Sequence, residues 1–177
     1  MPTITVEDGT GIANANSYIT LAYFTDYCSD LGLTTSDSNE LEDEDEESLQ
    51  KAMLRSMAFI DSHDFKGYKA DDDYSLEWPR AGVEDRNGYA IDSDEIPTNL
   101  KLAQARASYE EYINSGSLQK NLERGDMVTM EKIDVLQFEY DTYAPKTTVF
   151  QIIDGYLKGL AKGIGLSADG FADVERT

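Results

Sequence analysis

The stretch that decides the fold runs from Leu76 to Ile113: LEWPRAGVEDRNGYAIDSDEIPTNLKLAQARASYEEYI. It holds the single tryptophan and two of the four prolines. Trp78-Pro79-Arg80 reads as a structural anchor. An indole buries a large apolar area while keeping one N–H donor, and Pro79 fixes its own φ and drives Trp78 into an extended conformation. Asp85-Arg86-Asn87-Gly88 carries hairpin-turn chemistry, because Asn and Gly tolerate positive φ. Ile96-Pro97 then opens a helix, with Pro97 suited to the first helical position and Asp94 and Glu95 placed where the helix dipole favours negative charge. The order is anchor, turn, cap, helix, and none of it is catalytic.

Working outward from Pro97, helical spacing predicts a helix over 97–114, with Leu102, Ala105, Tyr109 and Ile113 on one face and Ala103 and Ala107 small enough for close packing. Upstream, a helix is predicted over 46–62 from Leu49, Met53, Met57 and Ile60, and another over 21–31 with Thr20 as N-cap and Gly32 as stop. Tyr23, Tyr27 and Leu31 share a face of the latter and read as core. Downstream, Met127–Tyr140 changes period. Val128 and Met130 alternate, as do Leu136, Phe138 and Tyr140, which is strand grammar and predicts a hairpin with one apolar face. A last helix is predicted over 148–161 from Val149, Ile152, Ile153, Tyr156, Leu157 and Leu160, ended by Gly163 and Gly165. The fold class expected is mainly α, about four helices packed as a small bundle with a β-hairpin inserted before the C-terminal helix. One domain spans 1–177, with an extended N-terminal arm over 1–16, an acidic loop over 36–47 and a C-terminal tail over 163–177.

Composition removes several function classes. The chain has 35 acidic residues against 15 Lys and Arg, a net charge of −20. Residues 1–50 contain twelve acids and no Lys or Arg. Such a balance opposes nucleic-acid binding, which runs on phosphate neutralisation by cations, and disfavours an anionic membrane surface. The lone Cys28 allows no intrachain disulfide and suits a reducing compartment. The N-terminus lacks the features of a signal peptide and no apolar run reaches a membrane span, so a cytoplasmic setting is expected.

Each candidate for chemistry fails on its own pattern. Asp8-Gly9-Thr10-Gly11 is a turn, because a phosphate loop needs a flanking strand, a helix and usually a Lys, and no Lys precedes Lys51. The run Asp37–Glu47 has eight carboxylates but no glycine in a calcium-loop pattern, and reads as a solvated, mobile loop. Asp85, Asn87, Gly88 and Asp92 lack the closing glutamate of a calcium site. His63, the only histidine, reads as a capping or surface residue near a helix end. Lys101 and Arg106 are followed by Glu110 and Glu111, so ion pairs are expected. No catalytic, cofactor or metal residue is assigned, no cofactor is implied and the chain is not expected to be an enzyme.

Short motifs in order nevertheless resemble a known group. Val6-Glu7-Asp8-Gly9-Thr10-Gly11, Ala15-Asn16-Ser17-Tyr18, Trp78-Pro79-Arg80, Gly88-Tyr89, Ile96-Pro97 and the segment from Glu131-Lys132-Ile133 to Phe138-Glu139-Tyr140 are similar to tailed-bacteriophage proteins described both as putative DnaT-like single-stranded-DNA-binding proteins and as head-to-tail adaptors. The resemblance runs from about Thr3 to about Leu160. Two departures are the acidic insert before the second helix and the tail after Gly163. The resemblance implies a structural virion protein at the head-tail interface, assembled in the host cytoplasm. It would form a ring, usually of twelve copies, beneath the portal protein. Its partners would be copies of itself, the portal protein, tail or nozzle proteins, and genomic DNA passing through the channel without sequence-specific binding; no membrane is involved. Contact residues then fall on Val128, Met130, Leu136, Phe138 and Tyr140 of the hairpin, and on Leu160 and Phe171 in the C-terminal region. The alternatives are a single-stranded-DNA-binding protein or an acidic assembly or scaffolding factor.

Overall fold

The computed structural model describes residues 2–119, 130–133, 136–139 and 150–163. Its elements in chain order are α1 (Leu21–Asp30), a 3-10 turn (Leu41–Asp43), α2 (Glu46–Asp61), β1 (Tyr68–Lys69), β2 (Arg80–Ala81), α3 (Thr98–Ile113), β3 (Met130–Ile133), β4 (Leu136–Glu139) and α4 (Gln151–Leu157). The protein is thus mainly helical, with four helices and an antiparallel two-stranded hairpin among the described residues. A second antiparallel ribbon, β1 with β2, pairs Tyr68 with Ala81 and Lys69 with Arg80; the sequence offers only a connector there.

Local chemistry accounts for the helix ends. The Thr20 hydroxyl accepts from the Tyr23 N–H at 3.0 Å and starts α1, and Gly32 at φ 62° ends it. Asp45 caps α2 by accepting from the Ser48 N–H. At the other end of α2 the His63 imidazole lies 3.0 Å from both the Phe59 and Ile60 carbonyls, which satisfies acceptors that a helix C-terminus leaves open. Pro97 sits one position earlier than expected, as the residue before α3, and its carbonyl accepts from Leu100 and Lys101. α4 is shorter than the expected 148–161. Gly159 takes φ 103°, so the chain turns there. Leu160 then accepts from Lys66 N–H and the Asp64 carbonyl accepts from Lys162 N–H, pairing the end of the segment with the chain that leaves α2.

α3 is the central element, packed against α2, α4 and α1. Leu100, Ala103 and Ala107 join the larger apolar cluster with Tyr18, Met57, Phe65, Trp78, Ile153 and Leu157. Ala105 joins a smaller cluster with Phe24, Leu49 and Met53. The expected face of Leu102, Tyr109 and Ile113 is only half-buried, with Leu102 and Tyr109 packed on the smaller cluster. The fully buried face carries Gln104, Ser108 and Glu111 as well as alanines.

Two expected loops are better fixed than composition suggests. Residues 2–17 do not extend as an arm: the chain folds back so that Glu7 N–H donates to the Ser17 carbonyl and Asn16 N–H to the Thr5 carbonyl, each at 2.8 Å. In the acidic loop, Leu41 is buried in the smaller cluster, and Glu44 accepts from the Tyr112 hydroxyl at 2.9 Å. One leucine and one accepting carboxylate therefore pin a run that its charge alone marks as mobile.

Candidate functional site

The expected anchor lies at a junction of three parts of the chain. Trp78 is fully buried, follows α2 in the chain, and stacks edge-on against Phe65 with ring centroids 5.8 Å apart. The Trp78-Pro79 peptide is cis. The Trp78 main-chain N–H donates to the Tyr18 hydroxyl at 3.0 Å, and that hydroxyl donates to Asp61 Oδ1 at 2.7 Å. Asp61 Oδ2 accepts from Glu77 N–H at 3.3 Å. One phenol thus ties the N-terminal loop, the end of α2 and the anchor together. Burial pushes the Asp61 carboxyl up to about 6 against the pull of the Tyr18 hydroxyl. Burial, then the neighbouring Asp61 charge, pushes the Tyr18 phenol well above its ordinary value. The indole Nε1 is buried with no partner among the described residues.

Arg80 completes the anchor. Its guanidinium donates to the Lys66 carbonyl at 2.8 Å, the Gly67 carbonyl at 3.2 Å and Glu77 Oε2 at 2.7 Å. It also lies 6.0 Å from the Phe65 ring centroid. Pro79 is buried behind it and Pro97 is buried at the head of α3.

A polar seam runs from the same place through the interior. Tyr18 N–H donates to Gln104 Oε1 and Gln104 Nε2 to Ser17 Oγ, each at 2.8 Å. Ser108 donates to the Gln104 carbonyl, and its hydroxyl lies 2.8 Å from that of Ser56. Buried polar groups of this kind cost free energy unless satisfied, and here each has a partner. The seam fixes α2, α3 and the N-terminal loop in register and offers no nucleophile with an attached base.

The glycine-rich turn at the N-terminus is already filled. Glu7 is fully buried. Its Oε1 accepts from Gly9 N–H at 2.9 Å and Gly11 N–H at 2.8 Å, and its Oε2 from Ile12 N–H at 2.8 Å. The amides that a phosphate would need are spent on the chain's own carboxylate. The turn at Asp85 behaves alike: Oδ1 accepts from Asn87 and Tyr89 N–H at 2.8 and 2.9 Å. Sequence reasoning missed the role of Glu7; the signal was an acid followed at two and four residues by glycine. It also missed Tyr18, Asp61 and Gln104, for which no local pattern exists.

The expected contact residues fall only partly among the described ones. Leu160 is buried in the larger cluster and does not present itself to a partner. Val128, Tyr140 and Phe171 lie outside the described residues. Met130, Leu136 and Phe138 lie on β3 and β4, whose register pairs Met130 with Glu139, Glu131 with Phe138 and Ile133 with Leu136.

Five cations among the described residues are paired within the chain. Arg55, Arg80, Arg106, Lys51 and Lys162 each meet a carboxylate between 2.6 and 3.0 Å. No group of three or more His, Cys, Asp or Glu among the described residues is placed to hold a metal ion. None of the described helices is long and apolar enough to cross a membrane. Burial pushes the Cys28 thiol up to about 12, so it is an inert core residue.

The class defined by these observations is a mainly helical protein in which the buried Glu7, Ser17, Gln104 and Ser108 side chains are hydrogen-bonded within the fold. The family whose model matches residues 2–176 is described as "putative DnaT-like ssDNA binding protein", and the chain belongs to that family. No curated protein matches the chain. No solved structure matches it either.

Proposed function

We propose that this protein is a non-enzymatic structural component of a tailed-phage virion, a head-to-tail adaptor whose copies ring the base of the portal, extend the DNA channel and offer the tail its attachment surface. The observation that carries the reading is that the Glu7 carboxylate fills the glycine loop and that five cations among the described residues meet the chain's own acids. What remains is a stiff acidic body. A channel wall of net charge −20 lets DNA slide past without holding it. The four helices, packed as a small bundle, form that body, and the hairpin inserted before α4 reaches a neighbouring copy or the portal, because a two-stranded ribbon is marginal by itself. The resemblance in Val6–Tyr18, Trp78–Arg80 and Glu131–Tyr140 supports the same reading.

Native mass spectrometry with and without the portal protein tests it. Discrete rings, or a complex formed only with portal, are expected. Leu136→Ser with Phe138→Ser should leave helical circular dichroism near native and abolish assembly. A double variant that assembles normally moves the contact elsewhere, and one that unfolds places the hairpin in the monomer core.

A second reading, binding of single-stranded DNA, is favoured by the description of the family. It requires a basic track with stacking platforms. Fluorescence anisotropy with a labelled oligonucleotide separates the two: micromolar affinity with a steep salt dependence would replace the adaptor reading.

A further inference from the structure

The N-terminal segment has one paired edge and one open edge. Thr5 and Glu7 N–H groups donate to Asn16 Oδ1 and the Ser17 carbonyl, and the Thr3 and Thr5 carbonyls accept from Asn16. Ile4 and Val6 alternate with these residues, and their N–H and carbonyl groups have no hydrogen-bond partner among the described residues. Successive residues of an extended chain direct these groups to opposite sides, so Ile4 and Val6 form a second edge.

That edge borders a groove of about 370 Å³ lined by Pro2, Thr3, Ile4, Val6, Leu21 and Gln50, with Thr20 at its margin. None of these residues is charged, in a chain of net charge −20. Gln50 Oε1 is buried and has no partner among the described residues. A buried acceptor without a donor is destabilising, and a donor from an incoming chain would remove that cost. Open edge, neutral apolar groove and orphan acceptor stand together at one place.

We propose that this edge is a docking site for an extended segment of a partner protein, added as a strand beside Ile4 and Val6, with uncharged β-branched residues in the groove and basic residues flanking them. Strand addition draws affinity from main-chain hydrogen bonds and specificity from alternate side chains. The basic flanks follow from the rim. Asp8 lies two residues beyond Val6, and Glu46 lies one helical turn from Gln50. A second copy of this chain fits less well: pairing the same edge across a two-fold axis sets two N-terminal halves together, and residues 1–50 carry twelve acids and no Lys or Arg.

The test uses the full chain and an acetylated, amidated peptide, Lys-Lys-Val-Thr-Val-Thr-Val-Lys-Lys, followed through amide NMR shifts. Expected are shifts concentrated at Ile4, Val6 and the Gln50 side-chain amide. The same peptide N-methylated at alternate valines should lose at least tenfold in affinity. Gln50→Leu should weaken peptide binding severalfold while leaving the melting temperature unchanged or higher, since it removes an unpaired buried acceptor. Equal binding of the methylated peptide, shifts located elsewhere, or no shifts at millimolar peptide would overturn the proposal. So would a dimer of the free chain in sedimentation that competes with the peptide, which would make the occupant a second copy. None of these outcomes depends on ring assembly, which is read by the portal experiment.

Discussion

Two loops in this protein are wrapped around a carboxylate, and they are held to very different degrees. Glu7 gives its oxygens to three amides and is fully buried. Asp85 gives one oxygen to two amides at the surface. The glycines tell the same story. A Cβ on Gly9 would fall 1.8 Å from the Asp94 carbonyl oxygen, and one on Gly11 would fall 2.1 Å from the Tyr74 ring. Gly88 has positive φ and nothing within 4 Å. Similar sequence grammar, an acid followed by glycine, therefore makes a docked plug in one place and a free-standing turn in the other. What differs is what lies behind the loop. The Glu7 loop leads through Ser17 into Tyr18 and so to Trp78.

The largest effect should come from removing that backing. Trp78→Ala should cost about 3–5 kcal/mol as a large-to-small core change, read as a lowered thermal midpoint. It should also speed hydrogen exchange at the Gly9 and Gly11 amides, by loosening the apolar cluster that the indole shares with Tyr18, while leaving Asn87 and Tyr89 exchange unchanged. An unchanged melt with an exposed-indole emission maximum would show that Trp78 is no anchor.

Next comes the plug itself. Glu7→Ala strands three amide donors, each worth about 1–3 kcal/mol when left unpaired in the interior, so a loss of about 3 kcal/mol is expected. Asp85→Ala exposes its amides to water instead. Its midpoint should stay within measurement error, with faster exchange at Asn87 and Tyr89 as the only sign. Equal losses in the two variants would break the comparison.

The glycines sharpen it one step further down. Gly9→Ala puts a methyl group into main chain and should cost about 2–3 kcal/mol, at the upper end of overpacking effects. Gly88→Ala meets open space and should cost about 1 kcal/mol, for the left-handed backbone alone. Urea denaturation of the two variants measures both.

The same contrast explains what could be read from sequence. Helix positions followed from apolar spacing and caps, since Thr20, Gly32 and His63 act within a few residues of themselves. The Trp78-Pro79-Arg80 anchor was legible because a lone Trp has few places to go but the core. The buried face of α3 was not. It is built from Leu100, Ala103, Gln104, Ala107, Ser108 and Glu111, whose mixed polarity cancels the periodic signal that marks amphipathic helices. Its hydrogen bonds reach Ser17 and Tyr18 more than eighty residues away, and no local pattern carries such pairing. The β1–β2 ribbon escaped for a similar reason: two residues per strand give no alternation to detect.

Asp61 is the third carboxylate and the smallest test, because it is mostly buried with only two donors, one of them long at 3.3 Å. Two donors do not offset its burial, so its carboxyl is pushed up to about 6, with nearby Glu77 adding to the rise. The sign follows directly. The folded state binds the proton more tightly than the unfolded state, whose value is near the ordinary 3.8. Asp61 therefore contributes stability that is fully present below about pH 4 and lost as the pH rises through about 6. Raising the pH from 4 to 7 should cost the native protein about 1–2 kcal/mol more than it costs Asp61→Asn. The variant loses the Glu77 contact at every pH, so the difference in slope is the measurement, not the difference in height. Surface carboxylates such as Asp85, held low by the Tyr89 amide, push the other way in both proteins and cancel in the comparison. Thermal melts of the pair at several pH values between 4 and 7 decide it. Parallel pH profiles would mean that water reaches Asp61 as freely as it reaches Asp85, and that the Tyr18 junction is as open as the surface turn.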